Sequence, residues 1–191
     1  MKKNLRISIL YTIVTTVLLG IIYPLVVTGL AQAIFPKQAN GELIKRNGTL
    51  VGSSLIGQPF TAPGYFYSRP SAAGTAGYDP TSSGGSNLGP TNKALIDRVD
   101  ASVKQLQPTN PNAPVPADLV TTSGSGLDPD ISPASAEFQI PRVAKERGMS
   151  EQDVQALVTK HTEGRQFGFL GERRVNVLEL NLDLDAAHPM H

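Results

Sequence analysis

The chain has 191 residues, 17 basic against 16 acidic, with 18 Gly, 15 Pro and neither Trp nor Cys. The missing cysteines exclude disulfides, iron–sulfur clusters, thiolate zinc sites, a lipoprotein anchor and cysteine nucleophiles. A charge balance so close to zero leaves no nucleic-acid footprint.

From Ile7 to Ile34 no side chain carries a charge, and most residues are Ile, Leu, Val, Ala, Thr or Gly. A helix needs about 20 such residues to cross the hydrocarbon core, so the stretch predicts a transmembrane helix over 7–34. Lys2, Lys3 and Arg6 precede it. Cationic flanks stay on the cytoplasmic side, which makes residues 1–6 the cytoplasmic end and 35–191 an extracytoplasmic domain. Ala31, Gln32 and Ala33 also form a small-x-small pattern that a signal peptidase can cut. A secreted domain is therefore the competing reading, but signal cores run only about 7 to 15 residues, and the length favours a retained anchor. Pro24, deep in the run, is expected to bend the helix, and Gly20, Pro24 and Gly29 are the expected points of packing against partner helices and lipid.

Beyond the span, Glu42 to Lys45 and Thr49 to Ser53 flank Asn47-Gly48, a dipeptide suited to the positive φ angles of a tight hairpin. Phe60, Tyr65, Phe66 and Tyr67 then gather between Pro and Gly turn signals. They read as core filling under long loops, or alternatively as a docking surface. After the small residues of TSSGGSNLGP, Thr91 is the expected N-cap of a helix that buries Leu95, Val99, Val103 and Leu106, with Lys93–Asp97 and Asp100–Lys104 pairs on the wet face. Pro108 to Pro116 makes a stiff connector.

Ser132-Pro133 reads as N-cap and first residue of a further helix, Ile140-Pro141 is expected to interrupt it, and Gly148 to close the piece beyond the interruption. Ser150 with Asp153 resembles a capping box for a helix presenting Val154, Leu157, Val158 and His161 and ending at Gly164. In RVNVLELNLDLD, Leu178, Leu180, Leu182 and Leu184 alternate with polar residues, which predicts a half-buried strand. Val175 and Val177 are out of phase, so a bulge is expected near Val177. The fold class is α+β: a single N-terminal transmembrane helix, then one loop-rich domain with a few helices and a small antiparallel sheet.

Phosphate-binding lysine loops, dinucleotide fingerprints, paired zinc histidines and a nucleophile elbow are all missing from the sequence. His161 reads as a core residue, and His188 and His191 as part of a frayed tail. Asp128 and Asp130 around Pro129 read as turn residues, since a calcium site wants more oxygens. No metal site is expected. One loop has suggestive chemistry: Ser83, Gly84, Gly85, Ser86 and Asn87 stand before a helix, where inward-turned amides can hold an anion. The plainer reading is a tight turn that caps the next helix.

GSSLIGQPF, YFYSRPSA, SGGSNLGPTN, DLVTTSGSGLDPDISP, QIPRVAKERG and HTEGRQFGFLGERRVNVLELNLDLD, coming after the Pro24-containing span in that order, resemble the family of C subunits of Kdp-type potassium-transporting ATPases. The connector from Gln107 to Ala117 and the tail after Asp185 carry no part of the resemblance. The resemblance implies a non-catalytic accessory subunit of the bacterial inner membrane. Its implied partners are a channel-like potassium-binding subunit, a P-type ATPase catalytic subunit and a small membrane subunit. It implies roles in assembly and in raising the catalytic subunit's affinity for ATP, with ATP and K+ handled by the complex and no cofactor bound by this chain alone. The SGGSN loop resembles the signature loop of ABC-type ATPases, which makes Ser83–Asn87 candidate nucleotide contacts. The cationic N-terminus opposes this, because it places Ser86 outside, away from any ATP pool.

Overall fold

The computed structural model describes residues 1–189. Its first element is one continuous helical rod, Lys2–Ile34, 33 residues long and apolar enough to cross a membrane. It is built of α1 (Lys2–Thr15), a π-helical stretch Thr16–Ile22, and α2 (Tyr23–Ile34). Pro24 explains the π turn. Its missing N–H cannot reach the Gly20 carbonyl and its ring would collide with it. The wider turn relieves the collision, and the Tyr23 N–H donates to Leu18 O, five residues back. What the structure shows at Pro24 is therefore a change of helical register.

A short α3 (Pro36–Ala39) comes next, then β1 (Leu43–Arg46) and β2 (Thr49–Ser53) as a two-stranded hairpin. Asn47 and Gly48 turn it with φ of 51° and 79°, as their residue types predict. The chain divides into two compact units, Met1–Val51 and the part from Gly52 onward.

In the second unit, α4 (Lys93–Leu106) is capped by Asn92, whose side chain accepts from the Ala94 N–H, and not by Thr91. Its apolar stripe is only half-buried, and Ile96 beside it is exposed, so α4 lies on the surface. Lys93 pairs with Asp97 at 2.7 Å; among the described residues Asp100 and Lys104 do not pair. The connector contributes short 3-10 turns at Gln107–Thr109 and Ala117–Leu119.

The core gathers around α5 (Pro133–Arg147), α6 (Glu151–Lys160) and α7 (Val177–Ala187) with β3 (Asp130–Ile131), β4 (Thr162–Glu163) and β5 (Arg174–Asn176). The antiparallel sheet has the order β3-β5-β4, with Ile131 opposite Val175 and Thr162 opposite Val175 on the other side. Phe66, Ile131, Val143, Val154, Val158, Val175, Val177, Leu180 and Leu184 close the core. Each such burial is worth about 1.5–3 kcal/mol relative to exposure.

Ser132 and Ser150 cap α5 and α6 as expected, and Gly148 ends α5 at φ 62°. Three expectations fail here. Pro141 does not interrupt α5: the carbonyl it orphans belongs to exposed Glu137, where water can replace the lost donor. α6 stops at Lys160, four residues before Gly164, because His161 is its C-cap and Thr162 enters β4. The largest correction is the last segment, where only Arg174–Asn176 is strand and Val177–Ala187 is a helix. Val177, Leu178, Leu180, Asn181 and Leu184 are its buried residues, a helical spacing, and Asn176 caps it by accepting from the Glu179 N–H at 3.1 Å. The phase break at Val177 marks the change from strand to helix.

Candidate functional site

The glycine-rich loop 83–87 lies against a second one, 123–126. Gly84 N–H donates to Ser125 O at 2.8 Å, and Ser83 Oγ donates to the same carbonyl at 3.0 Å. A Cβ on Gly85 would stand 3.2 Å from Gly124 O and 3.4 Å from Ser123 O. Gly126 has φ +67°, and a Cβ there would come within 2.7 Å of Ala73 N and of Gly84 O. Ser71 ties a third loop to these two: its Oγ donates to Gly126 O at 2.6 Å and accepts from the Tyr78 N–H at 2.7 Å. The backbones approach so closely that only small residues fit. Of the five candidate nucleotide contacts, Ser83, Gly84 and Gly85 face the carbonyls of 123–125. Asn87 is exposed with φ +51°, and Ser86 is half-buried between them. Carbonyl oxygens repel phosphate, and the Gly84 amide already has a partner, so this face favours loop-to-loop locking over anion capture. The cap of α4 comes from Asn92, outside the loop.

A second constellation was not legible as a site in the sequence. Phe66 is fully buried, its N–H donating to Asn181 Oδ1 at 2.9 Å and its carbonyl accepting from Asn181 Nδ2 at 3.0 Å. Tyr67 N–H donates to Gln139 Oε1 at 2.7 Å. Arg142 donates to the carbonyls of Pro63 and Tyr65 and to Gln139 Oε1, and its guanidinium lies 3.8 Å from the Tyr67 ring centre. Arg147 donates to Gly64 O and pairs with Asp185 at 2.9 Å, and Asp185 accepts from the Tyr65 hydroxyl at 3.0 Å. Burial, then the Asp185 hydrogen bond, push the Tyr65 hydroxyl pKa up; burial lowers that of Arg142. Of the aromatics Phe66 lies in the core and Phe60 packs against it, Tyr65 and Tyr67 are half-buried under the arginines, and α5 and α7 clamp the backbone from both sides. Gln139, Arg142 and Asn181 gave no sequence signal, because polar side chains normally mark the wet face of a helix.

His161 is satisfied but only partly buried, at the C-cap of α6 and not within the core: its Nε2 lies 2.8 Å from Asp183 Oδ2, the oxygen that Lys160 Nζ also reaches at 2.6 Å. Asp128 accepts from Arg69 at 2.8 Å and from the Asp130 N–H at 3.1 Å, the turn role expected of it. Burial pushes the Asp130 carboxyl up, with Arg174 partly opposing. Among the described residues no three His, Asp or Glu side chains stand close enough to hold a metal. Gly20, Pro24 and Gly29 lie on the rod, where no residue is buried. Gly20 and Pro24, four apart, share a face; Gly29, nine from Gly20, lies about half a turn away. His188 lends its carbonyl to Arg147 Nη1 at 2.7 Å, while His191 lies outside the described residues.

These features define a class: a chain with an N-terminal helix long and apolar enough to span a membrane, joined to an α+β unit in which a few buried polar side chains hold loops in place. The chain belongs to the KdpC family, described as the K+-transporting ATPase c chain, whose family model matches residues 5–186. It is 64% identical over 190 residues to the potassium-transporting ATPase KdpC subunit of Koribacter versatilis, covering 100% of this chain and 98% of that protein. The KdpC subunits of Rhodopseudomonas palustris and Acidobacterium capsulatum are 56% and 58% identical, over 98% and 97% of this chain and 100% of each relative.

Proposed function

We propose that this chain is an accessory, non-catalytic subunit of an ATP-driven potassium uptake complex in a bacterial plasma membrane, oriented with residues 1–6 inside and 35–191 outside. The rod packs among the helices of a channel-like potassium-binding subunit, a P-type catalytic subunit and a small membrane subunit. The outer unit stabilises the assembly, and ATP use changes indirectly, through the conformational equilibrium of the complex. Family membership supports the potassium complex as the setting. The observation that carries the reading is the rod itself: 33 residues, apolar over most of their length and none buried within this chain, present a surface that only lipid and partner helices can cover.

Replacing residues 7–34 with an unrelated apolar helix of equal length tests it by co-purification of the other subunits and by potassium uptake. Loss of co-purification with the outer unit still folded is expected; full transport by the chimera would remove the basis of the proposal. Substituting Asn87 separates direct from indirect ATP effects. A selective loss of ATP affinity with assembly intact would favour nucleotide contact by 83–87 over the indirect route.

A further inference from the structure

Between β4 and β5 the chain runs out into a finger, Arg165 to Arg173, that the assembly role leaves unused. Its tip is Phe167-Gly168-Phe169-Leu170, with Phe167 87%, Phe169 70% and Leu170 47% exposed. Two exposed phenylalanines on one short turn are uncommon on a surface with nothing to cover them. The finger is well defined: Gln166 and Leu170 exchange both backbone hydrogen bonds at 2.9 Å, Gly168 N–H donates to Arg165 O, and Phe169 N–H to Gln166 O. Phe167 is held at φ +53°, a conformation bulky side chains avoid, which the turn imposes and which sets the ring outward. Arg165 pairs with Glu172 at 2.6 Å and Arg174 with Glu163 at 2.8 Å across the base. Below them Val175 is locked in the core. Arg173 is exposed and has no carboxylate partner among the described residues.

We propose that this finger inserts its Phe167, Phe169 and Leu170 side chains into the headgroup layer of the membrane that carries the rod, with Arg173 on a lipid phosphate. Three observations select lipid over a protein partner. From Phe167 to Leu170 no side chain can donate or accept a hydrogen bond, whereas protein interfaces carry about one per 100–200 Å². The N–H groups of Gln166, Gly168, Phe169 and Leu170 are satisfied inside the finger, and the wet headgroup layer can solvate the remaining Phe167 N–H and the tip carbonyls. An unpaired arginine beside an aromatic tip matches an anionic headgroup, the pairing that interfacial segments use. This inference rests on the rod spanning a membrane; a tether of that kind raises the finger's effective concentration at a bilayer, so weak intrinsic affinity suffices.

The absence of tryptophan gives a direct test. Full-length Phe169→Trp protein, its only indole at the tip, is reconstituted in vesicles containing phosphatidylglycerol. It is titrated with acyl-brominated lipid and separately with aqueous iodide. Leu170→Trp serves as a second reporter and Asn112→Trp, in the exposed connector, as the control; flotation with the vesicles reports insertion of the rod independently. The expected result is quenching of both tip reporters by brominated lipid and protection from iodide severalfold greater than for Asn112→Trp. Iodide quenching of the tip equal to the control, with the protein still floating, overturns the proposal. So does protection that appears only when the other subunits are present and without bromolipid quenching, which would assign the finger to a protein pocket.

Discussion

Asp183 takes hydrogen bonds from Lys160 and His161, which hold its carboxyl below the usual carboxylate range. A lowered folded pKa means that stability from this group is present above the unfolded value near 3.9, and is lost as pH falls through the folded value. Asp183→Asn is therefore expected to cost on the order of 1 kcal/mol at neutral pH, an allowance set by the partial exposure of the pair. The difference from the parent should close as pH drops below about 4, as read from urea denaturation at several pH values. The glycines of the loop cradle divide sharply. Gly126→Ala meets both a left-handed backbone and two backbone atoms at 2.7 Å, and is expected to destabilise by at least about 2 kcal/mol. Gly84→Ala, with nothing within 4 Å of its Cβ and no positive φ, should stay within about 0.5 kcal/mol. Equal effects of the two in denaturation would contradict the cradle. Sequence showed glycines in both loops but not which one the packing requires, since that depends on residues some 40 or 50 positions away.

At the scale of elements, α7 is the instructive case. Four leucines two apart fit a strand, yet the same segment also places Val177, Leu180, Asn181 and Leu184 on one helical face. The capping pair Asn176 and Glu179 was the local signal that separates the two. Asn176→Ala removes the cap together with bonds to Ser54 O and Asp130, so a loss of about 1–2 kcal/mol is expected, with reduced helical circular dichroism on heating. Helix starts at Ser132 and Ser150, the stop at Gly148 and the turn at Asn47-Gly48 were legible because each rests on chemistry within three or four residues. Pro141 misled because the cost of a proline depends on whether water can reach the one carbonyl it orphans, here that of exposed Glu137, which is a matter of surroundings.

For the molecule as a whole, the part from Gly52 onward has a core of its own, enclosed by α5, α6, α7 and the three-stranded sheet. A fragment beginning at Gly52 is expected to fold and unfold cooperatively in the absence of detergent, as followed by calorimetry, while failing to co-purify with the other subunits. A fragment that is unfolded when isolated would show that the rod and hairpin supply stability. The sequence by itself determined the apolar rod, its charged flank, the hairpin, the starts of α5 and α6, the stop at Gly148 and the α+β class. Those features come from composition and from interactions between near neighbours. Only the tertiary structure decided that Gln139, Arg142 and Asn181 face inward to clamp residues 63–67, that the two glycine loops lock each other, and that the chain from Val177 is helical. Each of these is settled by burial against distant segments, where a polar group finds a partner that no local pattern can specify.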